Sequence, residues 1–219
     1  MKKLRYIAGC SLLLFACSQQ NTEILTGDDL LTIRNTKVPA EEYSGWIASN
    51  AAPLTKEQVL GDLTYRLTRV PADLLALRET GKGASPEALA EAKTHYTDLV
   101  YFRLEIIANS HNGELLKKDL QSPQEYNRRV SYAAFGVQND LSMKIGKDSL
   151  ACAVCQFERS FDVAPIATFM LAFDADEKIA NDNSLTVVFN DQLFNNGIIR
   201  FYWNAGELNA YPSLEGTNK

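Results

Sequence analysis

The sequence predicts a mainly β protein, an antiparallel β-sandwich with short helical insertions. Three observations support this fold class. Several segments alternate apolar and polar residues with the period of two that is typical of half-buried strands. These segments are short and are separated by residues that favour turns. Few segments carry helix signals, and many short strands with few helices favour a layered antiparallel β architecture.

The segment from 39 to 70 contains both helix and strand signals. A helix is expected near 39–42. Thr55-Lys56-Glu57-Gln58 resembles a capping box, which indicates a second short helix after Thr55. From Leu63 to Leu67 apolar and polar residues alternate, so a strand is predicted there.

Two Ser-Pro pairs mark the starts of two further helices. Each pair places an N-cap serine before a proline in the first helical turn. The pairs begin at Ser85 and Ser122, and they predict helices over 86–96 and about 123–133. Between them, residues 99–108 alternate as a strand.

The clearest strand pattern covers residues 135–161. The apolar members of its first half are Phe135, Val137, Leu141, Met143 and Ile145, and they alternate with polar or small residues. A polar turn containing Gly146 follows, and a second alternating run extends from Leu150 to about Phe161. Two such runs around a short turn predict a β-hairpin. Three more strands are predicted over 168–173, 185–189 and 198–203.

The first residues resemble the signal of a bacterial lipoprotein. Lys2, Lys3 and Arg5 form a positive segment, residues 6–16 are mostly apolar, and Cys17 follows at once. A positive segment, an apolar run too short to span a bilayer and a small residue before the cut are typical of a secretory signal peptide. Leu14-Phe15-Ala16-Cys17 is similar to the lipobox of that class. The resemblance implies cleavage before Cys17 and acylation of its side chain.

Two alternatives to lipidation at Cys17 stay open. Cys10 follows Ile7-Ala8-Gly9, which matches the lipobox letters better, but the apolar run before it is too short. The other alternative is that the segment is cleaved without lipidation or is retained as an uncleaved membrane anchor. With Cys17, the expected organisation is a signal peptide over 1–16, a lipidated tether over 17–29 and one β-rich domain over 30–219. The resemblance also implies several acyl chains, which anchor stably, and Ser18 in place of an aspartate favours the outer membrane.

Composition narrows the classes of partner. The 219 residues include 46% hydrophobic side chains, enough for a real core, and carry a formal net charge of −5. An acidic balance argues against binding nucleic acid, which needs a basic footprint. The pairs Lys117-Lys118 and Arg128-Arg129 are interpreted as solvated positions. The partners expected are the membrane, through the lipid anchor, and other envelope proteins.

Cys152 and Cys155 form the most conspicuous motif of the mature chain. A C-x-x-C pair is compatible with a redox centre, half of a zinc site or a disulfide. In a regular strand, however, residues three apart lie about 10 Å from each other and face opposite ways. The expectation is therefore two separate packing cysteines. A disulfide at a bulge and redox or metal chemistry are the alternatives.

The alternation of the same strand predicts one inward, apolar face formed by Ala151, Ala153, Cys155, Phe157 and Phe161. The same period places Arg159 on that face, between the two phenylalanines. A buried guanidinium needs a carboxylate or several carbonyl acceptors. An internal ion pair is the expected role, with Asp98, Glu105 or Asp140 as candidate partners, and removal of Arg159 should then destabilise the domain strongly. A contact with a ligand or partner is the alternative.

Five acidic residues are expected to gather near one loop. They are Asp174, Asp176, Glu177, Asp182 and Asp191. Carboxylates on a loop suit calcium, but the spacing is not that of an EF-hand. A solvated acidic loop is the expectation.

The function predicted is that of a non-catalytic lipoprotein of the outer membrane, an accessory or adaptor subunit of an envelope assembly. The sequence has no nucleophile elbow, H-E-x-x-H motif or Gly-rich phosphate loop, and it contains two histidines. We therefore expect no catalytic residue, no cofactor and no metal. One alternative is a surface glycan binder that uses exposed aromatic residues such as Trp203 or Tyr211. A carboxylate-based hydrolase is the other.

Overall fold

Strands dominate the computed structural model, which describes residues 25–159, 164–174 and 184–215. The predicted signal segment, with Cys10 and Cys17, lies outside the described residues. Short 3-10 turns at Leu115–Lys117 and Val137–Asp140 accompany the main elements. In chain order these are α1 (Gly27–Asn35), β1 (Lys37–Val38), α2 (Ala40–Ser49), β2 (Thr55–Leu60), β3 (Leu63–Val70), α3 (Ala72–Thr80), α4 (Pro86–Thr94), β4 (Leu99–Ala108), α5 (Pro123–Phe135), β5 (Leu141–Ile145), β6 (Asp148–Glu158), β7 (Ile166–Asp174), β8 (Leu185–Asp191), β9 (Gly197–Trp203), α6 (Ala205–Leu208) and β10 (Ser213–Leu214).

Eight strands form one antiparallel sheet that curls into a shape close to a barrel. Their spatial order is β2-β3-β4-β7-β6-β5-β8-β9. The edge strands β2 and β9 come into contact without forming a ladder. Lys56 in β2 also makes an ion pair of 2.9 Å with Glu207 in α6, directly after β9. The mainly β, antiparallel class predicted from the sequence is confirmed.

The inner face of the sheet carries the main hydrophobic core. Alternate residues of each strand point inward, as the period of two predicts. The ring of Phe102 in β4 lies 5.3 Å from that of Trp203 in β9 and 6.1 Å from that of Phe173 in β7. Side chains from distant strands therefore fill the interior together, as expected when a sheet closes on itself.

A second, smaller core lies on the outer face of the sheet. Helices α2, α3 and α4 pack there against Val70 at the end of β3. Tyr43 in α2 is fully buried, and its hydroxyl donates to the Pro212 carbonyl oxygen at 3.0 Å. The short parallel pair β1–β10 closes this side.

Helix starts follow the local sequence signals. The hydroxyl of Ser85 accepts from the Ala88 amide at 3.2 Å, and that of Ser122 accepts from the Glu125 amide at 3.2 Å. In both helices proline occupies the first turn, where its missing amide hydrogen costs nothing. Among the described residues, no helix is long and apolar enough to cross a membrane.

Two local expectations were wrong. Residues after Thr55 form strand β2, because their backbone pairs with β3 and this pairing outweighs the capping-box letters. Phe135 ends α5 and Val137 belongs to a 3-10 turn, so the hairpin strand begins only at Leu141. Helix α1 begins at Gly27, inside the segment predicted as a tether.

A β-bulge in β6 changes which residues face the core. Cys152 pairs with Phe173 while Val154 pairs with Ala172, so Ala153 is the extra residue. The side-chain amide of Gln138 donates to the carbonyl oxygens of Cys152 and Ala153, both at 3.1 Å, and holds the bulge. The predicted inward face is therefore wrong before the bulge and right after it.

Candidate functional site

Arg159 follows β6 at the rim of the barrel, and its contacts differ from those expected. The side chain is about one-third exposed, so it is not a buried guanidinium. Its Nε lies 3.4 Å from Oε1 of Glu114, and Nη2 donates to the hydroxyl of Tyr126 in α5. Phe161 lies outside the described residues, so only Phe157 is placed beside it.

Glu114 is the buried member of this cluster, with 3% of its side chain exposed. Tyr126 donates to its Oε2 at 2.9 Å, and the ammonium group of Lys117 lies 3.9 Å from the same oxygen. None of the predicted partners, Asp98, Glu105 or Asp140, pairs with Arg159. The prediction of an ion pair holds, but the partner comes from the loop after β4, which the strand pattern does not address.

Trp203 lies in the core and is fully buried. Its indole Nε1 has no hydrogen-bond partner within the described residues. The expectation that it could be an exposed platform for sugar is therefore wrong. Alternation places the neighbouring Tyr202 on the outer face, where 56% of it is exposed. Tyr211 is half-buried against the smaller core.

Cys152 and Cys155 both face the core. The extra residue of the bulge between them shifts the alternation by one position, so residues three apart lie on the same side of the sheet. The prediction that they face opposite ways is wrong, whereas the prediction of two separate thiols matches the structure. The Cys152 thiol donates to the Val154 carbonyl at 3.0 Å. Burial raises the pKa of Cys152 to about 11 and that of Cys155 to about 12. Thiols of that kind are poor nucleophiles near neutral pH.

The acidic residues predicted to share a loop are separated. Residues 175–183 lie outside the described residues, so Asp176, Glu177 and Asp182 are not placed. Asp174 ends β7, whereas Asp191 ends β8 and is almost fully buried. Within the described ranges, no three metal-ligating side chains gather in one place.

A concavity opens at one end of the barrel, and we call it the mouth cleft. It encloses about 570 Å³ between the β2–β3 turn, α5 and the segment after β8. Volumes of this size are typical of ligand sites, which range over about 300–1,000 Å³. Its lining combines aromatic, amide and charged side chains, among them Lys118, Arg128, Tyr132, Gln192, Phe194 and Asn195.

Asp191 builds one wall of the mouth cleft. Its Oδ1 accepts from the backbone amides of Leu193 and Phe194 at 2.9 and 3.1 Å. Its Oδ2 accepts from the hydroxyl of Tyr65 at 2.7 Å and from the Asn196 amide at 3.2 Å. One buried carboxylate thus fixes the course of residues 192–196, so the wall is preformed.

The opposite wall is held by ion pairs around Lys118. Its ammonium group lies 3.3 Å from Asp62 in the β2–β3 turn and 2.5 Å from Asp119. The Ser110 hydroxyl donates to Asp62 at 2.6 Å, and this bond, together with Lys118, lowers the pKa of the Asp62 carboxyl. One ammonium group therefore lies between two carboxylates, and the three groups together carry a net charge of −1.

The backbone is strained at two positions on the cleft. Asp119 has φ 52° and Asn195 has φ 59°, and both line the mouth cleft. They are the non-glycine residues with positive φ among those described. Aspartate and asparagine tolerate this left-handed region best, and strained residues tend to occur at functional sites.

Three polar side chains on the cleft, those of Arg128, Gln192 and Asn195, make no hydrogen bond or ion pair within the described part of the chain. Arg128 does act electrostatically on Glu125, whose carboxyl pKa it helps to lower. By contrast, the neighbouring Arg129 pairs with Glu125 at 2.8 Å and lies over the ring of Phe194. Two donor–acceptor amides and one guanidinium without a hydrogen-bond partner are therefore available to a bound molecule.

The sequence alone did not identify this site. Arg128 was interpreted as a solvated position, and nothing in the spacing of Asp119 and Asn195 links them. The residues that line the cleft come from three regions distant in sequence, namely 60–63, 118–132 and 192–196. An Asp-Gln-Leu-Phe-Asn-Asn stretch after a predicted strand was the one local signal of a structured turn.

Comparison with known proteins identifies no family. No family model matches the chain, and no curated protein is similar to it. A solved structure of a protein of unknown function from Burkholderia pseudomallei K96243 matches with 9% identity and a TM-score of 0.37, over 85% of this chain and 92% of the other. A DUF4426 family protein from Pseudomonas aeruginosa PAO1 matches with 10% identity and a TM-score of 0.33, over 69% and 92%. Likenesses at these scores assign neither a family nor a function.

Proposed function

We propose that this chain is an outer-membrane lipoprotein, anchored through Cys17, that acts as a non-catalytic accessory or adaptor subunit of an envelope assembly. The order of positive segment, apolar run and cysteine supports the anchor. The mouth cleft supports the adaptor role, and the observation that carries it is the set of unpartnered polar side chains on a preformed wall.

The chemistry of the cleft favours a peptide segment as its occupant. Side-chain amides such as Gln192 and Asn195 can donate to and accept from a backbone, as neighbouring strands do. Tyr132 and Phe194 provide apolar area beside them. The guanidinium of Arg128, which makes no hydrogen bond to a described residue, favours a carboxylate on that segment. We therefore propose that an acidic loop of a partner protein binds here.

Site-specific photo-crosslinking in intact envelopes tests this proposal. Gln192 is replaced by photoreactive p-benzoyl-phenylalanine, and the matched control carries the same group at Lys147, in the β5–β6 turn at the opposite end of the sheet. A discrete cross-linked protein is expected from position 192 alone. It should disappear when Arg128→Glu is added, because the charge of the recognition site is reversed.

Two results would count against the adaptor role. The first is an absence of any cross-linked protein from position 192 in envelopes of the native organism. The second is an identical product from positions 192 and 147, which would show random collision rather than binding. A product insensitive to Arg128→Glu would reject the acidic-loop assignment and retain the adaptor role.

Glycan binding is the second candidate, and the observation that favours it is Tyr202. This aromatic side chain is 56% exposed on the outer face of β9, beside Arg200 and opposite Thr186 of β8. An exposed ring on the outer face of a sheet can stack against a sugar. Retardation in a polysaccharide gel that Tyr202→Ala abolishes would support this role, and unretarded migration would remove it.

A further inference from the structure

A second cleft lies on the outer face of the sheet, and we call it the arginine cleft. It encloses about 390 Å³ between strands β2, β3 and β4 and helices α2 and α3. It shares no lining residue with the mouth cleft. Four arginines line it, together with an apolar wall formed by Ile47, Ala48, Val70 and Leu74.

Two of the four arginines are balanced by carboxylates just outside the cleft. Arg66 Nε lies 2.5 Å from Glu57, and its Nη1 lies 3.7 Å from Glu105. Arg103 donates to the other oxygen of Glu105. These four side chains form a network of two positive and two negative charges on neighbouring strands, so they add no net charge to the cleft.

The other two arginines are not balanced. Arg78, exposed on α3, makes no hydrogen bond or ion pair with any described residue. Arg69 is 7% exposed and donates to the backbone carbonyls of Val70 at 2.8 Å and Tyr101 at 3.1 Å. It also makes a side-chain hydrogen bond with Tyr211, but no carboxylate of the described residues pairs with it. Its Nε is buried without a partner among the described residues. Arginine stays charged even when buried, so the cleft holds two uncompensated positive charges in an acidic chain.

We propose that the arginine cleft binds a small amphiphile with one anionic head group, a carboxylate or a phosphate ester. The head group would face the guanidinium of Arg78, with Arg103 beside it, and the apolar part would lie against Ile47, Ala48 and Leu74. The charge count selects an anion, and the apolar wall selects a molecule with a hydrocarbon part over a bare ion. The volume, near the lower end for ligand sites, selects a short one.

Calorimetric titration of the mature lipoprotein in phosphatidylcholine nanodiscs tests the proposal. Hexyl phosphate and hexanoate are the probes, while inorganic phosphate lacks the apolar part and hexanol lacks the charge. Both probes are expected to bind more tightly than either control. Arg78→Gln should weaken hexyl phosphate binding by at least about tenfold, because a hydrogen bond between charged groups is lost.

Two further variants make the result decisive. Arg200→Gln removes an exposed arginine from β9 and should leave affinity unchanged, so it controls for general charge. Ala48→Glu places a carboxylate on the apolar wall and should abolish binding while the urea midpoint of unfolding stays that of the wild type. Equal binding of hexanol, no binding of hexyl phosphate, or equal losses in Arg78→Gln and Arg200→Gln would overturn the proposal.

A last arm distinguishes the source of the anion. The titration is repeated in nanodiscs that contain phosphatidylglycerol. Weaker apparent binding of hexyl phosphate there would show that a lipid head group competes for the cleft. Unchanged binding would assign the site to a free amphiphile. Both results support an anionic site, and they differ only in where its ligand resides.

Discussion

Replacement of Asp191 should produce a large loss of stability, because this one carboxylate satisfies four donors. Three of them are backbone amides of the segment after β8, and the fourth is the hydroxyl of Tyr65. Asp191 is 1% exposed, so water cannot replace it without local opening. At about 1 kcal/mol net for each hydrogen bond, Asp191→Ala should lower the free energy of unfolding by about 3–5 kcal/mol.

Tyr65→Phe is the graded control for this prediction. The hydroxyl donates to Asp191 at 2.7 Å and accepts from the Asn196 side chain at 2.7 Å, so its removal breaks two hydrogen bonds and leaves the carboxylate with three. The expected loss is about 1–2 kcal/mol. Urea denaturation, with midpoint and slope fitted separately, measures both variants. An Asp191→Ala protein within about 0.5 kcal/mol of the wild type would refute the reasoning, since that is the range of surface substitutions.

Three further predictions concern groups whose surroundings differ from the sequence expectation. Iodoacetamide at pH 8 should modify Cys152 and Cys155 rapidly in urea and very slowly in the folded protein, because burial raises the pKa of both thiols. Fast labelling of the folded protein, or no labelling in urea, would contradict this prediction. Arg159→Ala should lower the urea midpoint of unfolding by a small amount, similar to that of Arg103→Ala. After either substitution the glutamate partner keeps another donor, because Tyr126 still donates to Glu114 and Arg66 still pairs with Glu105. A far larger loss for Arg159→Ala would restore the interpretation of a buried ion pair. The Ser110 hydroxyl and Lys118 should hold the pKa of the Asp62 carboxyl below that of an ordinary aspartate, so its contribution to the cleft wall is lost as the pH falls through this lowered pKa. An NMR titration midpoint at or above the ordinary aspartate value would be inconsistent with its contacts.

The strand pattern was predictable where the backbone is regular. In β3 and β4 every second residue faces the core, so the alternation of Leu63, Tyr65 and Leu67 identifies both strand and inward face. Helices with strong N-caps, such as those after Ser85 and Ser122, were also predictable, because the cap is a local interaction.

Prediction failed where distant contacts decide the outcome. Gln138 donates to the carbonyl oxygens of Cys152 and Ala153 at the bulge, and the bulge reverses the inward face predicted for the first half of β6. The Arg159–Glu114 pair joins residues 45 positions apart, and Glu114 lies outside any periodic segment. The mouth cleft could not be predicted from the sequence either, because its walls come from distant parts of the chain that meet only when the sheet curls.

The anchor at Cys17 is the central claim, and incorporation of radiolabelled palmitate tests it most directly. Wild type, Cys17→Ala and Cys10→Ala are expressed in the native host, and each is followed by label in the mature band and by precursor size. Cys10→Ala should be labelled and processed as the wild type is, whereas Cys17→Ala should carry no label and remain as an unprocessed precursor. Undiminished labelling of Cys17→Ala would contradict the account and move the lipid to Cys10.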